Sequence, residues 1–98
     1  NYFQVAPEEI YYFEAVDNKI FIYLEKEVYE TKRKLYELER LFQGTDFFRA
    51  SKSCIVNLAK VKSLSPAFNG RFESLMRNGD RVMISRHYVP ILKEKLGL

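Results

Sequence analysis

Cysteine, histidine and glycine are scarce in this chain, and each shortage argues against one class of site. The 98 residues include one cysteine, Cys54, and one histidine, His87. A single cysteine cannot form an internal disulfide, and one residue of each type leaves a zinc module short of ligands. The 4 glycines stand singly, which argues against the glycine-rich loops that hold nucleotide phosphates. We therefore expect no bound metal and no cofactor.

The sequence also lacks the pattern of a catalytic centre. A Ser/His/acid hydrolase would have to use His87 as its base. Arg86 directly precedes that residue, and its positive charge disfavours an imidazolium intermediate. No nucleophile elbow surrounds any serine. We therefore expect that the chain is not an enzyme.

Long apolar runs are absent as well. No stretch approaches the ~18 apolar residues of a membrane span, and no signal sequence opens the chain. Cys54 lies within an apolar run at residues 54–56, which favours a buried thiol in a reducing compartment. We expect a cytoplasmic location and no membrane partner. Because the chain starts with Asn1 and not with Met, we also expect a piece of a longer protein.

Apolar residues are plentiful, and positive charge is concentrated in the second half. A hydrophobic fraction of 47% over 98 residues is typical of one folded domain, which we expect to span residues 1–98. Residues 1–48 carry 6 Lys/Arg and 10 Asp/Glu, a net charge of −4, whereas residues 49–98 carry 10 and 3, a net charge of +7. A basic half favours phosphate or anionic lipid as a partner. A merely lopsided, solvated surface is the alternative.

The first thirty residues predict a β-hairpin and a third short strand. Strands are expected at residues 10–16 and 20–24, joined by a turn at Asp17-Asn18, and a short reversal leads into residues 28–30. Both faces of the 20–24 segment are apolar. This predicts a strand that is covered on both sides, or one that is closed into a small barrel.

The second half predicts a β-meander. Asn69-Gly70 and Asn78-Gly79 are strong hairpin dipeptides, at which both residues should take positive φ. They separate strands that we expect at residues 60–67, 71–77 and 80–85. The intervening segment 47–58 is also strand-like.

Apolar residues at three- and four-residue spacing predict two helices. The first spans residues 31–43, with Thr31 as its cap and Gly44 beyond its end. Its apolar face is Leu35, Leu38, Leu41 and Phe42. The second spans residues 90–96, with Pro90 in the first turn and an apolar side made of Ile91, Leu92 and Leu96. The fold class is therefore mainly β (α+β by count), with short antiparallel sheets, one amphipathic helix and a short C-terminal helix.

Two segments in the second half place basic and small polar residues at the end of an apolar run. The first contains Phe48-Arg49, Ser51-Lys52-Ser53 and Ile55-Val56-Asn57-Leu58, followed by Val61 and Leu64. The second contains Asn78-Gly79 and Val82-Met83-Ile84-Ser85-Arg86. Together with the upstream strand and helix in the same order, this combination resembles the LytTR family of bacterial DNA-binding domains over about residues 8–98.

The resemblance implies that loops enter successive major grooves. No recognition helix is implied, and the two predicted helices lie too far apart in sequence for a helix-turn-helix. Three loop regions carry contacts in the family, and by position they map onto Asn18-Lys19, Ser51-Lys52-Ser53 and Arg86. His87 is a further candidate phosphate contact. The chain departs from the family pattern at Ser51, where histidine is frequent, whereas Lys52 stands where Arg, Lys or Asn occur.

The chemistry of these side chains suits DNA. Arg86, at a strand end, can present its planar guanidinium to guanine O6 and N7, and Lys52 suits a base acceptor or a phosphate. The small hydroxyls of Ser51, Ser53 and Ser85 suit phosphate oxygens.

Other polar residues of the second half have other expected roles. Arg49 is expected to pack or pair within the fold, and Asn57 is expected to stabilise a strand turn. Further candidate phosphate contacts lie on the meander, at Arg71, Arg77 and Arg81.

We expect the sequence-specific, double-stranded DNA-binding output domain of a bacterial transcription regulator. Family members commonly bind paired direct or imperfect repeats as two copies, which implies a DNA-driven homodimer. Many are the output half of response regulators, which implies an N-terminal receiver or other regulatory domain.

Two alternatives stay open. A single-stranded nucleic-acid module would stack bases on exposed aromatics such as Tyr11, Phe13, Phe21 or Tyr23. A protein-interaction domain would dock its apolar strands onto a partner and would show no salt-dependent affinity for nucleic acid.

Overall fold

Eight strands and two α-helices form the described part of the chain, residues 4–98 of a computed structural model. The strands are β1 (Tyr12–Val16), β2 (Lys19–Tyr23), β3 (Val28–Thr31), β4 (Phe47–Ser51), β5 (Cys54–Asn57), β6 (Val61–Pro66), β7 (Phe72–Met76) and β8 (Arg81–Ile84). The helices are α1 (Leu35–Leu41) and α2 (Val89–Lys95), and a 3-10 turn (Arg86–Tyr88) precedes α2. The single domain over residues 1–98 stays a prediction, because residues 1–3 lie outside the described residues.

The strands form two antiparallel sheets. The larger sheet has five strands in the order β3-β2-β1-β5-β4, and the smaller has the order β6-β7-β8. The mainly β fold class, with short antiparallel sheets and two short helices, is therefore confirmed. The larger sheet is open, so of the two predictions for residues 20–24 the closed barrel is wrong.

The first of two apolar cores lies between the sheets. Tyr12 and Val56 of the larger sheet pack with Met76 and Ile84 of the smaller sheet and with Leu92 of α2. Val56, Met76, Ile84 and Leu92 are all fully buried. This core fixes the smaller sheet and α2 against one face of the larger sheet.

The second core covers the other face of the larger sheet. Phe13, Ile20 and Ile55 pack there with Leu35 and Leu38 of α1. Because neighbouring residues of a strand point to opposite faces, strands that are apolar at consecutive positions contribute to both cores. The predicted strand with two covered faces is confirmed.

Turn dipeptides behaved as predicted at two of three places. Asp17 and Asn18 have φ of 51° and 65°, and Asn69 and Gly70 have φ of 61° and 76°. Gly79 has φ of 93°, but Asn78 is absent from the residues with positive φ, so that part of the prediction is wrong. The Gly79 amide donates to the Met76 carbonyl at 3.0 Å, which makes a longer loop in which only the glycine must be left-handed.

The first helix is shorter than predicted. Thr31 is not its cap, because this residue still pairs with Ile20 as the last residue of β3. The Lys34 amide instead donates to Glu37 Oε1 at 2.8 Å immediately before the helix begins at Leu35. Gly44, with φ of 80°, lies beyond its end as predicted.

The predicted apolar face of the first helix includes one residue, Leu41, that does not lie on it. Leu41 is 60% exposed, whereas Phe42 packs against Phe13 with ring centroids 5.8 Å apart. At ~100° per residue, position 41 lies ~120° from position 35, and position 42 only ~20°.

The apolar side of the second helix is corrected in the same way. Val89 and Leu92 are buried. Ile91 is exposed because it lies ~100° from Leu92, and Leu96 is exposed because it follows the helix end. Pro90 is in the first turn, as predicted.

Candidate nucleic-acid interface

Three loops meet at one end of the larger sheet. Because β1 is antiparallel to β2 and β5, and β5 to β4, the β1–β2 turn and the β4–β5 turn lie at the same end. The Ala15 amide donates to the Ser53 carbonyl at 2.8 Å, and the Ser85 amide donates to the Ala50 carbonyl at 2.9 Å. The second bond brings the residue after Ser85 to the same place. We call this region the loop end; it comprises Asn18, Lys19, residues 51–53 and Arg86.

A groove of about 780 Å³ at the loop end is lined by most of the predicted DNA-binding residues. The predicted residues in its lining are Ser51, Lys52, Ser53, Arg86 and His87. Asn69, Arg71, Ser85 and Tyr88 complete the lining. We call it the basic groove. Asn18 and Lys19 do not line it; they are exposed on the neighbouring β1–β2 turn.

The basic groove carries positive charge without acidic neighbours in its wall. Lys52, Arg71 and Arg86 are exposed, and none of the lining residues is acidic. Among residues 4–98, the ion pairs are Arg49–Glu39 and Arg81–Glu73, so neither Lys52 nor Arg86 is neutralised by a carboxylate. Such a groove attracts a phosphate backbone.

The three other candidate phosphate contacts differ in their surroundings. Arg71 lines the basic groove. Arg81 donates to Glu73 at 2.7 Å, which offsets its charge. Arg77 lies in the β7–β8 loop. In this loop Asn78 Nδ2 is 3.4 Å from the carbonyl oxygen of Glu25, at the opposite end of the larger sheet from the loop end. We therefore keep Arg71 as a candidate and leave Arg77 and Arg81 out.

The loop at residues 51–53 is held by a side chain of its own hairpin. Arg49 Nε donates to the Ser51 carbonyl at 2.6 Å, and Arg49 Nη2 donates to the Lys52 carbonyl at 2.8 Å. Its third nitrogen, Nη1, donates to Glu39 Oε1 at 2.7 Å. The expectation that Arg49 pairs within the fold is confirmed. The expectation that Asn57 stabilises a strand turn is also confirmed, because its Oδ1 accepts from the Ala59 amide at 3.0 Å in the turn after β5.

The β6–β7 turn packs against Arg86. A methyl group added at Gly70 would lie 3.1 Å from both Cγ and Cδ of Arg86, so a larger residue at this position would press on the Arg86 side chain. His87, the next residue, is exposed and packs edge-to-face on Tyr88 with ring centroids 5.0 Å apart. The aliphatic part of Arg86 therefore packs against Gly70. Its guanidinium has no ion-pair partner among the described residues.

The aromatics proposed for base stacking are mostly occupied within the fold. Tyr11 and Phe13 are buried, and Tyr23 stacks on Tyr12 with ring centroids 4.3 Å apart. Phe21 is partly buried. The expectation that Tyr11 and Phe13 are exposed is wrong, because both faces of the sheet are covered.

The described residues offer little to other chemistries. Burial raises the pKa of the Cys54 thiol to about 12, so it is protonated and unreactive at neutral pH. In residues 4–98, no group of three or more His, Cys, Asp or Glu is placed to hold a metal ion. No helix in the same range is long and apolar enough to cross a membrane.

A mainly β domain that gathers exposed cations on neighbouring loops has the architecture of a loop-based nucleic-acid-binding domain. The chain matches the family model of the LytTr DNA-binding domain over residues 1–97. It thus belongs to the LytTR family, which confirms the resemblance seen in the sequence. It is a DNA-binding domain of the kind found in transcription regulators.

Relatives and a solved structure agree with this membership. The chain is 35% identical over 94 residues to the sensory transduction protein LytT of Enterococcus faecalis, covering 96% of this chain and 39% of that protein. It is 30% identical over 96 residues to the transcriptional regulatory protein YpdB of Escherichia coli, with the same coverage of 96% and 39%. The LytTr DNA-binding domain of a putative methyl-accepting/DNA response regulator from Bacillus cereus superimposes with a TM-score of 0.88, at 32% identity over 93% of this chain and 84% of that chain. The chain thus spans about two-fifths of the length of these curated relatives.

The sequence did not predict two residues that line the groove, or one packing contact beside it. Asn69 was interpreted only as a turn former, although its dipeptide precedes Arg71 and could have signalled a polar loop. Tyr88 carries no signal beyond its position next to His87. The contact of Gly70 with Arg86 joins residues of different hairpins, and no local pattern marks it.

Proposed function

We propose that the loop end binds double-stranded DNA sequence-specifically in the major groove, as the output domain of a bacterial transcription regulator. The observation that carries the proposal is the basic groove, in which Arg86, from the turn after β8, comes together with Lys52 and the hydroxyls of Ser51 and Ser53 from the β4–β5 hairpin. Neighbouring loops that bear an arginine, a lysine and small hydroxyls supply both base and phosphate contacts.

Each residue has a role that follows from its chemistry. Arg86 presents a planar fork that suits guanine O6 and N7, whereas Lys52 is a flexible point charge for a base acceptor or a phosphate. Ser51, Ser53 and His87 contact phosphate oxygens. Because Asn18 and Lys19 lie outside the basic groove, we assign them to a separate contact, in the neighbouring groove of the DNA.

The expected assembly follows from the family. Two copies bind paired direct or imperfect repeats and dimerise on the DNA. An N-terminal receiver or other regulatory domain fits the coverage of only 39% of the LytT relative from Enterococcus faecalis. Non-enzymatic action and a cytoplasmic location stay predictions.

The alternatives have less support. A single-stranded nucleic-acid module would need exposed stacking platforms, and Tyr11 and Phe13 are buried. A protein-interaction domain would need unoccupied apolar strands, whereas the strand residues Phe13, Ile55 and Val56 fill the chain's own cores.

The test is duplex affinity of Lys52→Ala and Arg86→Ala, measured as a function of salt. Arg86→Ala should cost ~1–3 kcal/mol on the preferred sequence and relax specificity at one position. Lys52→Ala should weaken binding and lower the log–log salt slope by about 1 if Lys52 contacts a phosphate. Both thermal midpoints should stay near that of the parent, because both side chains are exposed.

Lys26→Ala is the matched control. Lys26 is exposed in the β2–β3 loop, at the opposite end from the loop end, and its removal changes the net charge equally. A double variant of Lys52 and Arg86 that binds like the parent would refute the assigned site. Preference for single-stranded over duplex competitor would instead support the single-stranded alternative.

A further inference from the structure

We propose that Arg49 is a positioning residue that fixes the 51–53 loop in its DNA-binding shape, and that Glu39 of α1 holds Arg49 in place. The consequence for DNA binding rests on the function proposed above, whereas the ordering of the loop does not. The arrangement ties a helix on one face of the larger sheet to a loop at its end.

The β4–β5 hairpin is irregular where Arg49 acts. Arg49 pairs with Ile55, but Ser51 pairs with Cys54, so the register shifts between Arg49 and Ser51. A bulge leaves strand groups without ladder partners. The carbonyls of Ser51 and Lys52 receive hydrogen bonds from the Arg49 guanidinium, at 2.6 and 2.8 Å. The Arg49 side chain thus satisfies two consecutive backbone carbonyls, those of Ser51 and Lys52.

The three bonds need the geometry of a guanidinium. Nε, Nη1 and Nη2 each serve a different acceptor, and the third acceptor is Glu39 Oε1 at 2.7 Å. Arginine presents five donors in a rigid plane, whereas the single ammonium of lysine cannot span three acceptors arranged around a fork. We call these three hydrogen bonds the clamp. Lysine at position 49 would keep the positive charge but could not form the clamp.

Burial separates this role from a DNA contact. The side chain of Arg49 is 17% exposed, and its charge is offset by Glu39, which is 51% exposed. Lys52, by contrast, is exposed and has no carboxylate partner among the described residues. The largely buried Arg49 therefore orders the loop, whereas the exposed Lys52 is free to contact DNA.

Ordering the loop before DNA arrives lowers the entropic cost of binding. A further hydrogen bond within the loop, from the Ser53 amide to Ser51 Oγ at 3.2 Å, also orders it. Loss of the clamp leaves every exposed cation in place. Affinity should then fall while the salt dependence, which counts phosphate contacts, stays unchanged.

The experiment compares the parent with Arg49→Lys in two measurements. Amide hydrogen exchange without DNA should become at least about tenfold faster at residues 51–53, since the clamp no longer restrains the loop. Duplex affinity should fall by about tenfold with the salt slope unchanged, since no phosphate contact is removed.

Arg81→Lys is the matched control, because Arg81 makes an ion pair of the same 2.7 Å length with Glu73 but holds no loop carbonyl. It should change neither measurement. Glu39→Ala is the second variant and should shift both in the direction of Arg49→Lys by a smaller amount. It also supplies the test if Arg49→Lys fails to fold.

Each outcome decides the proposal. Unchanged exchange at residues 51–53 in a folded Arg49→Lys or Glu39→Ala variant overturns the clamp. A salt slope that falls by about 1 also overturns it, because Arg49 would then be a phosphate contact itself. Faster exchange in a protein that binds no duplex, parent included, would refute the proposed function and leave the clamp standing.

Discussion

At the scale of single residues, Gly70 lies close to the aliphatic part of Arg86, the side chain that we propose contacts a base. Gly70 has φ of 76°, and an added methyl would meet Arg86 Cγ and Cδ at 3.1 Å. Gly79 has φ of 93° with nothing within 4 Å of the corresponding position. Two glycines with the same backbone requirement therefore differ in what an added side chain would displace.

We predict that Gly70→Ala lowers duplex affinity several-fold and that Gly79→Ala does not. Both variants should lose about 1 kcal/mol or more of stability, because alanine is strained at positive φ. Affinity measured by fluorescence anisotropy, at a temperature where both variants are folded, separates the two effects. Equal affinities for the two variants would show that Arg86 does not depend on Gly70.

Residue chemistry predicted some roles at this scale and not others. Asn57 was expected to serve the fold, and its Oδ1 accepts from the Ala59 amide at 3.0 Å while its Nδ2 binds the Ile10 carbonyl. The first of these bonds is local and follows from asparagine's tendency to form such turns. The partner of Arg49 could not be predicted, because Glu39 lies on another element and the phase between helix and strand is set by packing.

At the scale of elements, α1 is held by two leucines and a phenylalanine on one stripe. Leu35 and Leu38 are buried at 7% and 4% exposure, whereas Leu41 is 60% exposed. Apolar runs bounded by turn dipeptides were enough to predict the strands, and apolar residues at three- and four-residue spacing were enough to predict the existence of the helix. It did not fix the helix start, because β3 continues to Thr31 through its pairing with β2.

Leu38→Ala and Leu41→Ala make a matched pair within this helix. Leu38→Ala should reduce the free energy of unfolding by ~2–5 kcal/mol, since it leaves a cavity in the second core. Leu41→Ala should change it by no more than about 0.5 kcal/mol, because the side chain is largely in water. Urea denaturation followed by circular dichroism measures both. Comparable losses would contradict the assigned helix phase.

At the scale of the whole molecule, buried titratable groups make stability depend on pH above neutrality. Burial raises the pKa of Cys54 from its usual 9.0 to about 12. The pKa of Tyr12 is also raised above its usual 10.0, by burial and by its hydrogen bond to Asp80. Between the two pKa values of each group, the unfolded chain loses a proton that the folded chain keeps, so stability falls as pH rises.

We predict that the free energy of unfolding is insensitive to Cys54 ionisation below pH 9 and falls above it. Between pH 9 and pH 10 ionisation of the thiol alone should remove about 1 kcal/mol, and Tyr12 adds to this loss as the pH approaches 10. Urea denaturation of the parent and of Cys54→Ala across this interval gives the difference in slope. Equal slopes would mean that the thiol ionises as readily in the folded chain.

The distribution of charge was the part of the whole molecule that sequence predicted best. The net charge of +7 in residues 49–98 pointed to an anionic partner, and the family pattern named the loops. Composition could not predict that Arg86 and Lys52 line the same groove. That depends on the smaller sheet packing on the larger one and on the bond from the Ser85 amide to the Ala50 carbonyl.

Selection from a randomised duplex library with the purified domain, at near-physiological salt, tests the central claim most directly. The account predicts enrichment of a repeated motif whose half-sites lie about one helical turn apart, ~10–10.5 base pairs. Loss of one base preference in Arg86→Ala, with Lys26→Ala selecting the parent motif, would assign that preference to the basic groove. Retention without enrichment would contradict sequence-specific recognition, and no retention at all would contradict DNA binding by this chain.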